Sequence, residues 1–198
     1  MNIQLFDELI DHSRKGRPAQ HPSEWKMFLE ICEMYMKTHG IKKPIVVELG
    51  VYYGMQRQFY EQFFDAEYIG IDYDTKRSVP DIIGDTMVPE TLDALTSKLK
   101  GRPINILFID AGHTYKAVKQ DFNVYSPLCS DIVALHDIES GRYADSSHRM
   151  VWKFWDELKE RSYKEKGKLS EFMFLTIRQR FAHRRISQRL GIGLVLKR

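Results

Sequence analysis

The sequence predicts an α/β fold: a seven-stranded, mostly parallel sheet with helices on both faces and a C-terminal antiparallel hairpin. Three observations carry the prediction. Short apolar runs rich in Val, Ile and Leu, bounded by Gly, Pro or Asp, recur through residues 45–136. Amphipathic helical segments separate them, as a parallel sheet requires for its crossovers. After residue 162 the alternation stops, and two strand-like runs, 171–178 and 191–197, stand with no good helix between them.

Each element has its own warrant. Residues 1–20 open with a short helix carrying Ile3, Leu5, Phe6, Leu9 and Ile10, followed by a polar segment. Pro22 and Ser23 start a second helix, whose Trp25, Phe28, Leu29, Cys32 and Met36 share one face, and Gly40 ends it. Ile45–Leu49 reads as a buried strand between Pro44 and Gly50. Residues 55–64 read as a helix, 68–72 as the second strand and 81–84 as a short third. Pro89 suits the first position of a helix bearing Leu92, Leu95 and Leu99. Residues 104–110 form the fourth strand, 115–126 a helix with Val118, Phe122 and Tyr125 on one face, and 131–136 the fifth strand. A helix over 148–162 buries Val151, Phe154, Trp155 and Leu158, and the hairpin follows.

Length and composition agree. A chain of 198 residues with 43% hydrophobic and 29% charged residues fits one domain, 1–198, in which 1–40 form an N-terminal helical extension. A domain of this size buries roughly 70% of its unfolded surface and needs no disulfide or metal staple. No apolar run approaches the ~18 residues of a membrane span, and the acidic N-terminus lacks a secretory apolar stretch. Cys32 and Cys129 match no metal or redox spacing, so reduced thiols and a cytoplasmic location are expected. The net charge of +3 is uneven: residues 1–147 carry 16 Lys/Arg against 22 Asp/Glu, residues 148–198 carry 14 against 5.

In open α/β sheets ligands bind beyond the carboxyl ends of the strands. The first strand runs into Glu48-Leu49-Gly50-Val51-Tyr52-Tyr53-Gly54, a turn that lets a ligand approach bare backbone. It is neither a G-x-G-x-x-G dinucleotide turn nor a phosphate loop, and Glu48 favours a cation over phosphate. Asp72 ends the second strand, about twenty residues on, where a carboxylate accepts ribose hydroxyls. Gly84-Asp85-Thr86 ends the third. Together they suit a positively charged nucleoside without a diphosphate.

These residues resemble the class I S-adenosylmethionine-dependent methyltransferases, a Rossmann-like fold, in Glu48-x-Gly50-x-x-x-Gly54, Gly70-x-Asp72 and Gly84-Asp85. A longer run, Phe108-Ile109-Asp110-Ala111-Gly112-His113-x-Tyr115-x-x-Val118-x-x-Asp121, followed by Ile132-Val133-x-x-His136-Asp137, is similar to the metal-dependent sugar O-methyltransferase branch, with its cephalosporin hydroxylase-like and macrocin-type members. The resemblance spans roughly residues 20–196. It implies that Glu48, Gly50, Tyr52 and Gly54 surround the methionine part of S-adenosylmethionine, that Asp72 binds the ribose, and that Gly84 and Asp85 lie near the adenine. It implies a divalent metal, Mg or Mn, on Asp110 and Asp137, with His136 where part of the branch has a third acid. His113 matches the general base, and Asp110 joins it as catalytic.

The chemistry suits those residue types. A hard cation on carboxylates lowers a hydroxyl's pKa, an imidazole takes the proton, and the alkoxide attacks the sulfonium methyl in line. The implied partner is a small hydroxylated acceptor, sugar or natural product, with no membrane. Several points depart from the branch. Met55-Gln56 replaces Gly-Ser, and a histidine at 136 suits manganese, zinc or iron better than magnesium. Plainer roles stand beside these: a turn carboxylate for Asp72, a structural loop histidine for His113, a satisfied histidine at the sheet end for His136, and packing for Tyr52 and Tyr53. Alternative functions are an RNA or other macromolecule methyltransferase using the basic C-terminal region, a metal-dependent hydrolase built on Asp110, His136 and Asp137, and a cofactor-binding module without transfer. The sparse aromatics of the 178–189 connection, Phe181 alone, favour a solvated face over nucleic acid. Residues 138–149 read as a lid, and 1–20 as an arm for a homo-oligomer.

Overall fold

The computed structural model describes residues 1–11, 20–142, 148–164, 172–178 and 190–197. Helices α1 (Ile3–Asp11) and α2 (Pro22–Thr38) precede strand β1 (Ile45–Leu49). There follow α3 (Gln56–Phe64), β2 (Glu67–Asp72), β3 (Ile82–Ile83), α4 (Pro89–Leu99), β4 (Ile104–Ile109), α5 (Tyr115–Tyr125) and β5 (Cys129–His136). Helix α6 (Val151–Lys164), β6 (Phe172–Ile177) and β7 (Ile192–Lys197) complete the order. The seven strands form one sheet in the order β3-β2-β1-β4-β5-β7-β6. Strands β1 to β5 pair in parallel, and β7 runs antiparallel to both β5 and β6. The predicted architecture and its C-terminal hairpin are both present.

Side-chain alternation sorts the core into two layers. Val47 and Leu49 of β1, Leu107 and Ile109 of β4 and Val133 and Leu135 of β5 face Leu95, Leu99, Val118, Phe154, Trp155 and Leu158 of α4, α5 and α6. Val46, Ile106, Phe108, Ile132 and Ala134 face the opposite way, onto Phe6, Trp25, Phe28, Phe59 and Tyr60 of α1, α2 and α3. Trp25 packs edge-on against Tyr60 at 5.6 Å and Phe108 at 5.5 Å. Truncating such a side chain to Ala costs about 3–5 kcal/mol. The expected apolar face of α2, including Cys32, is buried as predicted, and both cysteines are free thiols.

Local details depart from the sequence reading or add to it. Helix α6 begins at Val151 rather than 148, because the Met150 N–H is tied to the His113 carbonyl at 2.7 Å. On α5 the buried face holds Asp121 with Val118 and Tyr125, while Phe122 is half-buried against Phe154 at 5.4 Å. Tyr52, expected beside the cofactor, and Tyr53 are 46% and 40% exposed; their rings pack edge-on at 4.3 Å, and the Arg77 guanidinium lies 4.9 Å from the Tyr52 ring. Trp152 carries the Arg142 guanidinium at 5.2 Å. The polar segment 12–19, residues 143–147 of the expected lid, Glu171 and the basic connection 179–189 with Phe181 lie outside the described residues. No described helix is long and apolar enough to cross a membrane.

Candidate active site

The chain runs outward from β1 to β3, then crosses back to β4, so strand order reverses between β1 and β4. Their carboxyl ends interlock. The Gly50 N–H donates to the Ile71 carbonyl at 2.9 Å, and the Asp110 N–H donates to the Leu49 carbonyl at 2.8 Å. Gly50 sits at φ +86°, and a Cβ there would collide with the Asp110 carbonyl oxygen. Glycine is required at this point on both counts.

A cleft of about 600 Å³ opens at this edge, within the range of small-molecule sites. Gly50, Tyr52, Asp72, Gly84 and Asp85 line one part of it, and Asp110, His113, His136 and Asp137 line another. Glu48 and Gly54 are not among its lining residues. Glu48 is fully buried under the sheet edge and accepts the Tyr68 hydroxyl, and burial pushes its carboxyl well above the usual range. Gly54 instead closes the turn, its N–H on the Val51 carbonyl at 2.8 Å.

Asp72 organises the turn. Its Oδ2 accepts the Val51 and Tyr52 N–H groups at 2.8 and 3.1 Å, and Oδ1 accepts the Asp74 N–H at 2.9 Å. The turn-carboxylate reading thus holds, and the same carboxylate still faces the cleft. Tyr52 is held at φ +51°, a conformation that costs a non-glycine residue on the order of 1 kcal/mol. At the third strand end, Gly84 leaves no room for a side chain beside Thr91.

The other wall is a cluster of two carboxylates and two imidazoles. His136 Nδ1 lies 2.9 Å from Asp110 Oδ1 and 3.7 Å from Asp137 Oδ1. His113 Nε2 lies 3.0 Å from Asp137 Oδ2 and 3.5 Å from Asp110 Oδ1. Asp137 takes φ +62°, just past the end of β5, which is backbone strain at the point where its carboxylate meets His113. The bonds to Asp110 and Asp137 push His113 up to about 10. For His136, burial alone would lower the pKa, but the Asp110 and Asp137 charges outweigh it and raise it to about 9. Burial raises the Asp110 carboxyl, but the charge of His136 and the hydrogen bonds of both imidazoles outweigh it and hold it below the usual value. Both imidazoles are therefore cations at neutral pH, balancing two carboxylates.

That balance bears on metal binding. Asp110 has Oδ1 on His136 and Oδ2 on the amide of Gln20, at 2.9 Å. Among the described residues, no group of three or more His, Cys, Asp or Glu side chains is arranged to hold a metal ion. As they stand, Asp110, His136 and Asp137 fit a charge-balanced ion-pair cluster rather than a divalent cation. It also constrains His113, since an imidazolium accepts no proton until its own has left.

The site contains residues that no motif singled out. Gln20 and Gln56 are 2% and 3% exposed, and the Gln56 amide donates to the Gln20 carbonyl at 2.9 Å. Arg149 and Leu190 line the cleft. The one available signal was polarity at positions beside apolar helix faces, which does not distinguish a buried amide from a surface one.

Residues 47–138 match the model of a family described as a methyltransferase domain. No curated protein matches the chain. Among solved structures, MycE methyltransferase from the mycinamycin biosynthetic pathway, in complex with Mg, SAH and mycinamycin VI, is similar with a TM-score of 0.63 at 16% identity. That match covers 97% of this chain and 53% of MycE, so the chain spans about half of MycE's length. The O-methyltransferase TomG from Streptomyces achromogenes, in complex with SAM, gives a TM-score of 0.57 at 13% identity, covering 97% of this chain and 88% of TomG. An O-methyltransferase from Bacillus cereus in complex with SAH gives 0.57 at 10% identity, over 99% and 90%.

Proposed function

We propose that this chain, whose fold is that of the class I S-adenosylmethionine-dependent methyltransferases, transfers a methyl group from that cofactor to a hydroxyl of a small molecule. One observation carries the reading. The ribose-type carboxylate Asp72, the Gly50 turn and Gly84-Asp85 share a single cleft with an acid–base cluster at the switch point. A nucleoside cofactor and a proton-accepting group are the two things that hydroxyl methylation needs side by side.

In this reading Asp72 receives the ribose hydroxyls, and the bare backbone at Gly50 lets the methionine part approach β1. Asp85 lies at the adenine end. The carboxylates of Asp110 and Asp137 favour the sulfonium cation in their neighbourhood. That cation opposes the positive charge on His113, so cofactor entry favours release of the His113 proton to solvent. The ring keeps its Nε2–H on Asp137 and Asp110, and the neutral Nδ1 then accepts the acceptor's hydroxyl proton as its oxygen attacks the methyl group and the C–S bond breaks. Asp137 and Asp110 hold the ring in place and stabilise the imidazolium that results. Positioning of the two reactants supplies much of the acceleration. The Mg in the MycE complexes is a property of those structures. At this cluster a divalent ion would have to displace the imidazoles from Asp110 and Asp137, and no step is routed through one.

The test is transfer of labelled methyl from S-adenosylmethionine to a panel of small polyhydroxylated acceptors. Wild type is expected to label at least one acceptor, with His113→Ala and Asp110→Ala at least 100-fold slower, the usual weight of a general base. Full activity in both variants would contradict the assignment.

A further inference from the structure

The acid–base cluster is supported from an unexpected direction. Asp110 Oδ1 serves both imidazoles, so its carboxylate plane must be fixed for the two contacts, 2.9 and 3.5 Å, to coexist. The third contact on the same carboxylate is the Gln20 amide, on Oδ2 at 2.9 Å, from a residue 90 positions earlier in the chain. Gln20 immediately precedes His21, the N-cap of α2.

The orientation of this amide follows from chemistry. An ionised carboxylate only accepts hydrogen bonds, so the nitrogen of Gln20 must face Asp110 and its oxygen must face away. That oxygen meets the amide nitrogen of Gln56, at the first position of α3, just after the Gly54 turn. Both side chains are almost fully buried, where an unpaired amide would cost about 1–3 kcal/mol. The chain Gln56–Gln20–Asp110 therefore has a single consistent direction of donation, ending on the carboxylate.

We propose that Gln20 is a positioning residue of this site. Its amide locks the Asp110 carboxylate in the plane that serves His136 and His113, and Gln56 holds Gln20 in turn. The segment ahead of α2 thus completes the active site rather than standing apart from it. A merely structural role would ask only that the amide be satisfied, and would leave the histidines untouched when it is removed. The proposal rests on the methyltransferase reading for its purpose, but its geometry can be tested without turnover.

The experiment uses the full chain with ¹⁵N-labelled histidine at pH 7, comparing wild type with Gln20→Leu, Gln20→Asn and Gln56→Leu. Asparagine is one methylene shorter and cannot span the bond. In wild type the His136 Nδ1 proton, bridged to Asp110, is expected to give a slowly exchanging signal. In Gln20→Leu and Gln20→Asn that proton should exchange about tenfold faster or be lost, as protection lost with a freed partner. Gln56→Leu should move it in the same direction by less. Affinity for S-adenosylhomocysteine, by calorimetry, should stay within about threefold of wild type, because Gln20 is not a lining residue of the cleft. An unchanged His136 signal in a folded Gln20 variant overturns the proposal, and if Gln20→Leu fails to fold, Gln20→Asn decides. Failure of wild type to bind either cofactor form instead overturns the methyltransferase reading, while the histidine signals still decide the role of Gln20.

Discussion

His113 Nε2 stands 3.0 Å from Asp137 Oδ2, joining the loop after β4 to the first residue after β5. The contact sets the charge of the residue proposed as general base. With its pKa pushed up to about 10 by Asp110 and Asp137, His113 is a cation at physiological pH. In the proposed reaction the sulfonium of the cofactor opposes that charge.

Cofactor binding should therefore release protons. The binding enthalpy for S-adenosylmethionine measured in phosphate and in Tris at pH 7.5 should differ with a slope corresponding to a net release of up to about one proton. His113→Gln should reduce the slope. Equal enthalpies in wild type would contradict the proton movement.

Stability should fall as the solution becomes alkaline. His136 has a folded pKa of about 9 against 6.5 in a free chain, so its contribution is complete below pH 6.5 and is lost between 6.5 and 9. The span corresponds to something on the order of 3 kcal/mol, shared with Asp110 because the two form one pair. Urea unfolding at pH 6.5 and 9.5 should show the loss, and His136→Asn should reduce it, the remainder coming from His113, whose pKa of about 10 gives a loss of the same sign.

Asp121 should be a liability at neutral pH. It is fully buried. Burial raises it from 3.8 to about 6; the Thr86 hydroxyl draws it down and the Asp85 charge pushes it up. A carboxyl raised in the folded state costs stability as pH climbs from about 4 through 6, the reverse of an ion-paired acid. Asp121→Asn should raise stability at pH 7 by about 1–3 kcal/mol, a gain that vanishes near pH 4, read from thermal melts at both values.

Asp72 should matter through the backbone as well as through ligand contact. Asp72→Ala frees the Val51 and Tyr52 N–H groups that now converge on Oδ2. Affinity for S-adenosylhomocysteine should drop at least tenfold, with about 1–3 kcal/mol lost in stability. Asp72→Asn, which keeps an acceptor oxygen for those groups, should recover most of the stability and less of the affinity.

Much of this architecture is legible in one chain because β1, β4 and β5 are buried on both faces and read as unbroken apolar runs. Trp25, Phe28, Leu29 and Cys32 declare their helix face by spacing alone. Asp72, Asp110 and Asp137 are found because they close strands. What stayed hidden depends on contacts across long separations. Gln20 meets Asp110 over 90 residues, and nothing local marks it. Glu48 looks like a cofactor residue at a strand end, yet strand alternation turns it onto Tyr68, beneath the sheet. The metal reading of His136 follows from residue types; the structure adds that its Nδ1 lies on Asp110.

The acidic excess of residues 1–147 gains a place in this structure, since Asp72, Asp85, Asp110 and Asp137 border one cleft. The measurement that bears most directly on the methyltransferase reading is calorimetric titration of the full chain with S-adenosylmethionine and S-adenosylhomocysteine. The account predicts one site per chain for each, with micromolar affinity, weakened at least tenfold by Asp72→Ala. No detectable binding of either compound by the folded wild-type chain would contradict it.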